Sequence, residues 1–172
     1  NSVGFWQIQA LKACKHTAIW EDDYFKPVAK KALEFLGRVQ GANGAIGYRE
    51  NSDQNPGLTG GGVLAFQMWD EGGSENVRSG IKYISANTDF KWASANLYYH
   101  YYNAQALINY GGEDWEKYNK LFRDELLDNQ AKEGTWLNGG TSHSNLHMTT
   151  CLATFMLEVY YRFLPATGAG TR

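Results

Sequence analysis

The chain has 172 residues, a formal net charge of −2 and a pI near 6.1. That balance gives no electrostatic basis for binding nucleic acid or an anionic membrane surface. No apolar run reaches the roughly 20 residues of a membrane-spanning helix, and the amino end lacks the basic start and apolar stretch of a signal peptide.

In chain order, the first predicted helix covers about 5–17, with Phe5, Ile8 and Leu11 near one stripe. The second runs over about 24–39, where Val28, Ala32, Phe35, Leu36 and Val39 recur at three- and four-residue steps and Lys30, Lys31 and Glu34 take the other side. Pro27 reads as a first-turn proline, where a missing N–H costs nothing. A turn-rich stretch over 40–57 ends at Asn55-Pro56-Gly57. The third helix, about 58–71, is apolar nearly all round, through Leu58, Val63, Leu64, Phe66, Met68 and Trp69. Gly60-Gly61-Gly62 near its start lowers helix propensity by roughly 1 kcal/mol per residue relative to Ala, so a close neighbour or ligand is expected there. Ser74 is placed to cap a fourth helix with Val77, Ile81 and Ile84 as its stripe. A fifth, about 95–110, carries Tyr98-Tyr99-His100-Tyr101-Tyr102. The sixth, about 113–129, sets Trp115, Tyr118, Leu121, Phe122 and Leu126 against charged residues. The seventh, about 145–164, is apolar through Leu152, Phe155, Met156, Val159 and Tyr160. There are no strand signals.

Helices two, four and six are half polar; three, five and seven are apolar or aromatic. Amphipathic helices need water on one side and all-round apolar ones need cover on most sides, which antiparallel hairpins arranged around an axis provide. The expected fold is therefore all-α, in one domain over 1–172.

An internal repeat underlies this order. Gln130-x-x-x-Gly134-x-Trp136 has an imperfect upstream copy in Gln40, Gly44 and Gly47-Tyr48. Gln40 maps onto Gln130 and Thr59 onto Thr149, each 90 residues on, while Gln9 maps onto Gln105 at 96. The approximate repeat is 5–71 against 96–164, with one extra helix between.

Gln-x-x-x-Gly-x-Trp between an amphipathic and an apolar helix resembles the QW repeat of the squalene–hopene cyclase and prenyltransferase superfamily, a terpenoid-cyclase-like group. Leu58-Thr59-Gly60-Gly61-Gly62 and the stretch 149–165 look like that family's inner helices. The resemblance implies an α/α toroid or partial toroid of about seven helices. It implies a structural role for Gln40, Gly44, Gln130, Gly134 and Trp136, in which the amide caps helix-end groups and the indole stacks beside it. It also implies an apolar, isoprenoid-type ligand in a cavity lined by inner-helix aromatics. Trp6, Tyr98, Tyr99, His100, Tyr102 and His147 are the candidates. A whole toroid holds about six helix pairs by analogy, so seven helices suggest a partial ring, a piece of a longer protein, or a half-ring completed by a second copy. The alternative function is a non-catalytic helical module for self-association or assembly.

The family's acid motifs are absent. No Asp-x-Asp-Asp occurs to protonate an alkene, and no Asp-Asp-x-x-Asp to hold Mg²⁺ and diphosphate. Glu21-Asp22-Asp23 reads as favourable charge at a helix start. His143, His147 and Cys151 fall at i, i+4 and i+8, but the outer two would lie about 12 Å apart along a helix, so no metal site is expected. No cofactor is expected either. Nothing places Cys14 or Cys151 beside a His as a nucleophile pair; both read as buried thiols, with a disulfide between them as the alternative. Asn1 in place of Met reads as a processing boundary, which leaves the compartment open, secreted or periplasmic included.

Overall fold

The structure is a computed structural model that describes residues 2–17, 19–50, 55–137 and 145–161. Seven α-helices account for most of it: α1 (Ser2–His16), α2 (Asp22–Val39), α3 (Pro56–Met68), α4 (Glu75–Asn87), α5 (Leu97–Tyr110), α6 (Gly112–Asp128) and α7 (Leu146–Leu157). Short 3-10 turns follow at Trp92–Ser94 and Glu158–Tyr161. Among the described residues there is no strand, only an isolated antiparallel bridge between Gln40 and Ile46.

The odd helices pack in sequence, α1 on α3, α3 on α5 and α5 on α7. The even helices cover them: α2 against α1 and α3, α4 against α3 and α5, α6 against α5 and α4. The sequence pattern explains this layering. Helix α3 buries Leu58, Thr59, Val63, Leu64, Ala65, Phe66 and Met68, which lie all round its axis and demand neighbours on every side. Helices α4 and α6 bury single stripes, Val77, Ile81 and Ile84 in one and Tyr118, Phe122 and Leu126 in the other. Their other faces carry charge.

The glycine run of α3 is explained by its neighbours. A Cβ on Gly60 would stand 2.3 Å from Asn103 Oδ1 and 2.7 Å from the Asn103 nitrogen of α5. One on Gly61 would meet the Phe5 ring of α1 at 2.4 Å, and one on Gly62 the Ile46 side chain at 2.1 Å. Three consecutive positions, spaced 100° apart, face three different parts of the fold.

The α2–α3 and α6–α7 connections share a hydrogen-bond pattern. The nitrogen of Gly41 donates to the Ala45 oxygen and that of Gly44 to Gly41; likewise Ala131 donates to Thr135 and Gly134 to Ala131. Gly44 and Gly134 both have positive φ, 92° and 79°, where a Cβ is strained. In each loop the Gln amide nitrogen donates back to the turn, Gln40 to the Gly44 oxygen at 2.9 Å and Gln130 to the Gly134 oxygen at 3.1 Å. Gln40 also donates to the Asn76 oxygen and accepts from Asn76 Nδ2, tying the end of α2 to α4. A threonine of the next helix then accepts from the loop, Thr59 Oγ1 from the Ile46 nitrogen and Thr150 Oγ1 from the Trp136 nitrogen. The partner of Thr59 is thus Thr150, not the neighbouring Thr149, and the residue opposite Trp136 is Ile46, not Tyr48. Trp136 is buried and its Nε1 donates to the Leu126 oxygen at 2.7 Å, satisfying a carbonyl in the last turns of α6.

Other sequence expectations shift by a turn or less. The buried stripe of α2 is Phe25, Ala29, Leu33, Leu36 and Val39, and Val28 is exposed. Both stripes have helical spacing; the side that meets α1 and α3 decides between them. Since α2 begins at Asp22, Pro27 sits in its second turn, where it withholds a backbone donor from the Asp23 carbonyl. Helix α7 gives way to a 3-10 turn after Leu157, with Tyr161 exposed. Cys14 and Cys151 are exposed free thiols, each on the helix face away from the core, so neither the buried-thiol reading nor the disulfide holds. The buried ammonium stem of Lys12 lies over the Trp69 ring at 5.4 Å, which offsets the cost of burying its charge.

Candidate functional site

A cleft of about 320 Å³ opens where the amino ends of the odd helices meet. Helix α1 supplies Ser2, α3 supplies Gly57 and Leu58, α5 supplies Tyr98 and Tyr99, and α7 supplies Met148. Tyr48 of the first loop and the caps Asn55 and Asn96 complete the lining. Each Asn holds its own helix start: Asn55 Oδ1 accepts from the Gly57 nitrogen at 2.9 Å and Asn96 Oδ1 from the Tyr99 nitrogen at 3.4 Å. Asn145 does the same for α7 through the Met148 nitrogen. Local sequence therefore builds the site, with an Asn before each apolar helix and backbone N–H groups pointing toward the cleft.

The wall is part ring face, part hydroxyl. Trp6 Nε1 donates to the Tyr98 hydroxyl at 3.1 Å, and that hydroxyl donates weakly to the Ser2 oxygen at 3.5 Å. The Tyr99 hydroxyl lies 3.4 Å from Thr88 Oγ1. No Lys, Arg, Asp or Glu lines the cleft.

The six residues expected to bind ligand separate into three groups. Tyr98 and Tyr99 line the cleft. Trp6 stands beside it, half exposed, through its bond to Tyr98. His100 and Tyr102 are core residues, 2% and 1% exposed. The His100 ring packs edge-on to Phe90 at 4.6 Å, and its Nδ1 is 2.8 Å from the Tyr118 hydroxyl, which also donates to the His100 oxygen. Burial lowers the His100 pKa from 6.5 to about 4, against a small opposing pull from Asp89, so the ring is neutral at pH 7. Burial likewise holds Tyr118 well above the ordinary phenol range. The Tyr102 ring packs against Phe5 and Tyr98, and burial pushes its ionisation far up. His147 is exposed on α7 and does not reach the cleft lining. A five-residue aromatic run on a helix must divide among faces 100° apart, and only two of its members reach the cleft.

Tyr48, Asn55, Leu58, Asn96 and Met148 were not anticipated as site residues. An Asn directly ahead of an apolar helix was the available signal for two of them. A second hollow, about 570 Å³, runs along α4 beside Ala42 and Asn43 and is lined by polar and charged side chains such as Arg78 and Lys82. No residue expected to bind ligand reaches it. Among the described residues no cluster of His, Cys, Asp or Glu could hold a metal ion; His143 lies outside the described residues. No helix in the described chain is long and apolar enough to cross a membrane.

The fold and the cleft define an all-helical domain with a small aromatic site at its helix starts. Comparison with protein-family models, curated proteins and solved structures finds no match.

Proposed function

We propose that this chain is a terpenoid-cyclase-like helical domain, arranged as part of an α/α toroid, that binds an apolar ligand of isoprenoid type in the cleft at the starts of α3, α5 and α7. The observation that carries this reading is the convergence of Tyr48, Tyr98, Tyr99, Leu58 and Met148 on one cleft within the size range of small-molecule sites. The paired Gln loops and the layering of odd beneath even helices support the toroid arrangement and the repeat. A fluorescence titration with farnesol tests the ligand reading. Saturable binding that falls at least about tenfold in Tyr98→Ala and Tyr99→Ala is expected, with the circular dichroism of the variants unchanged. Binding that both variants retain would move the site elsewhere.

A second reading, assembly with another copy or with further helices, is favoured by one observation. Trp20, Tyr24 and Val28 recur at four-residue steps into and along α2, each more than half exposed, with Trp20 stacked on Tyr24 at 4.9 Å. Exposed apolar stripes of this kind mark interaction surfaces. Light scattering across protein concentrations distinguishes the readings: a dimer lost in Trp20→Ser/Tyr24→Ser supports assembly, and a monomer at all concentrations opposes self-association.

A further inference from the structure

Reading the cleft as a ligand site, as proposed above, leaves the ligand's head and length open, and the lining speaks to both. We infer that the cleft takes an uncharged alcohol of about fifteen carbons, its hydroxyl held by Tyr98 and Tyr99, and rejects both the corresponding diphosphate and chains twice as long.

Length follows from volume. At close-packed density a methylene occupies roughly 20–25 Å³, so about 320 Å³ accommodates around fifteen heavy atoms. A thirty-carbon chain would leave half its apolar surface in water. The head follows from the chemistry of the wall. A diphosphate brings several negative charges, and burying them without cations is strongly unfavourable. The cleft presents no Lys or Arg to pair with the phosphates and no carboxylate to hold a bridging Mg²⁺. It does present phenolic hydroxyls, each of which can both donate and accept. Their present bonds are long, 3.5 Å from Tyr98 to Ser2 and 3.4 Å between Tyr99 and Thr88, so an incoming hydroxyl displaces weak partners.

A further observation points the same way. One turn beyond Tyr98, the Tyr102 hydroxyl is buried near the Tyr98 and Gln9 side chains without the geometry of a hydrogen bond to either. Helical side chains lean toward the helix amino end, here the cleft end. A ligand hydroxyl seated against Tyr98 gives this hydroxyl cluster an additional donor and acceptor, which a hydrocarbon cannot.

The test is a set of titrations with four probes: farnesol, farnesyl diphosphate, the hydrocarbon farnesene, and squalene. Farnesol is expected to bind roughly tenfold more tightly than farnesene and at least tenfold more tightly than the diphosphate, with squalene weakest. In Tyr98→Phe/Tyr99→Phe, which keeps both rings, farnesol should fall to the level of farnesene while farnesene is unchanged. Equal binding of farnesol and farnesene, or tighter binding of the diphosphate, overturns the inference and leaves the apolar site standing. Tightest binding by squalene overturns the length. If none of the four binds, the ligand reading itself falls, and this inference with it.

Discussion

Acidification below pH 6.5 should destabilise the fold through one residue, His100. Its ring is buried between Phe90 and Tyr118, and its pKa falls from 6.5 to about 4 because burial disfavours the imidazolium. The unfolded chain therefore binds a proton that the folded chain refuses throughout that interval. Stability from this source is complete above about pH 6.5 and is lost as pH falls toward 4. The linkage relation puts the loss at a little over about 1 kcal/mol at pH 5.5 and between about 2 and 3 kcal/mol at pH 4.5. The assay is urea unfolding at pH 7.5, 6.5, 5.5 and 4.5, followed by tryptophan fluorescence, on the wild-type chain and on His100→Phe. The variant keeps a ring against Phe90, and Tyr118 keeps its bond to the residue-100 carbonyl. It should begin less stable at pH 7.5 and lose less on acidification. Carboxylates titrate in both proteins, so the difference between the two curves isolates His100. Parallel curves from pH 7.5 to 4.5 would refute the argument that His100 is held neutral by burial.

Other substitutions probe the frame around the cleft. Gly60→Ala should cost at least about 2 kcal/mol despite its gain in helix propensity, because the new methyl meets the backbone of α5 at 2.7 and 2.9 Å. Gly4→Ala, with nothing within 4 Å of the added carbon and a helical backbone, should instead stabilise by roughly 0.5–1 kcal/mol; chemical denaturation measures both. Thr59→Val removes the acceptor of the buried Ile46 N–H and should cost about 1–3 kcal/mol, with amide exchange at Ile46 accelerated. Trp136→Phe keeps most of the ring but frees the Leu126 carbonyl, so a loss of about 1–2 kcal/mol is expected in thermal unfolding.

Much of the frame was legible in the sequence because it depends on local chemistry. Seven helices follow from apolar periodicity. Asn55-Pro56-Gly57 and Ser74 mark two of their starts, and the Gln–Gly spacing marks the two loops. Choices made between helices were not legible. Helix α2 carries two overlapping apolar stripes, and contact with α1 and α3 selects the one through Phe25 rather than Val28. The exposure of Cys14 and Cys151 depends on which helix face has a neighbour. At the cleft, the tyrosine run was visible but its division was not: Tyr98 and Tyr99 reach the opening while His100 and Tyr102 pack inward. Tyr48 and Met148 come from segments far apart in the chain, and only the packing of the odd helices brings them together.

The glycine run in α3 has a consequence for motion. Residue for residue it is poor helix-forming material, and in isolation this segment would fray before any other. In the folded chain it is enclosed by α1, α4 and α5, with the loop after α2 seated on Gly62. Its backbone cannot open without first moving those neighbours. Amide hydrogens of Val63 to Phe66 should therefore exchange with solvent only through global unfolding, later than those of the charged and intrinsically stronger helix α6. The weakest helix by composition would then be the slowest to open.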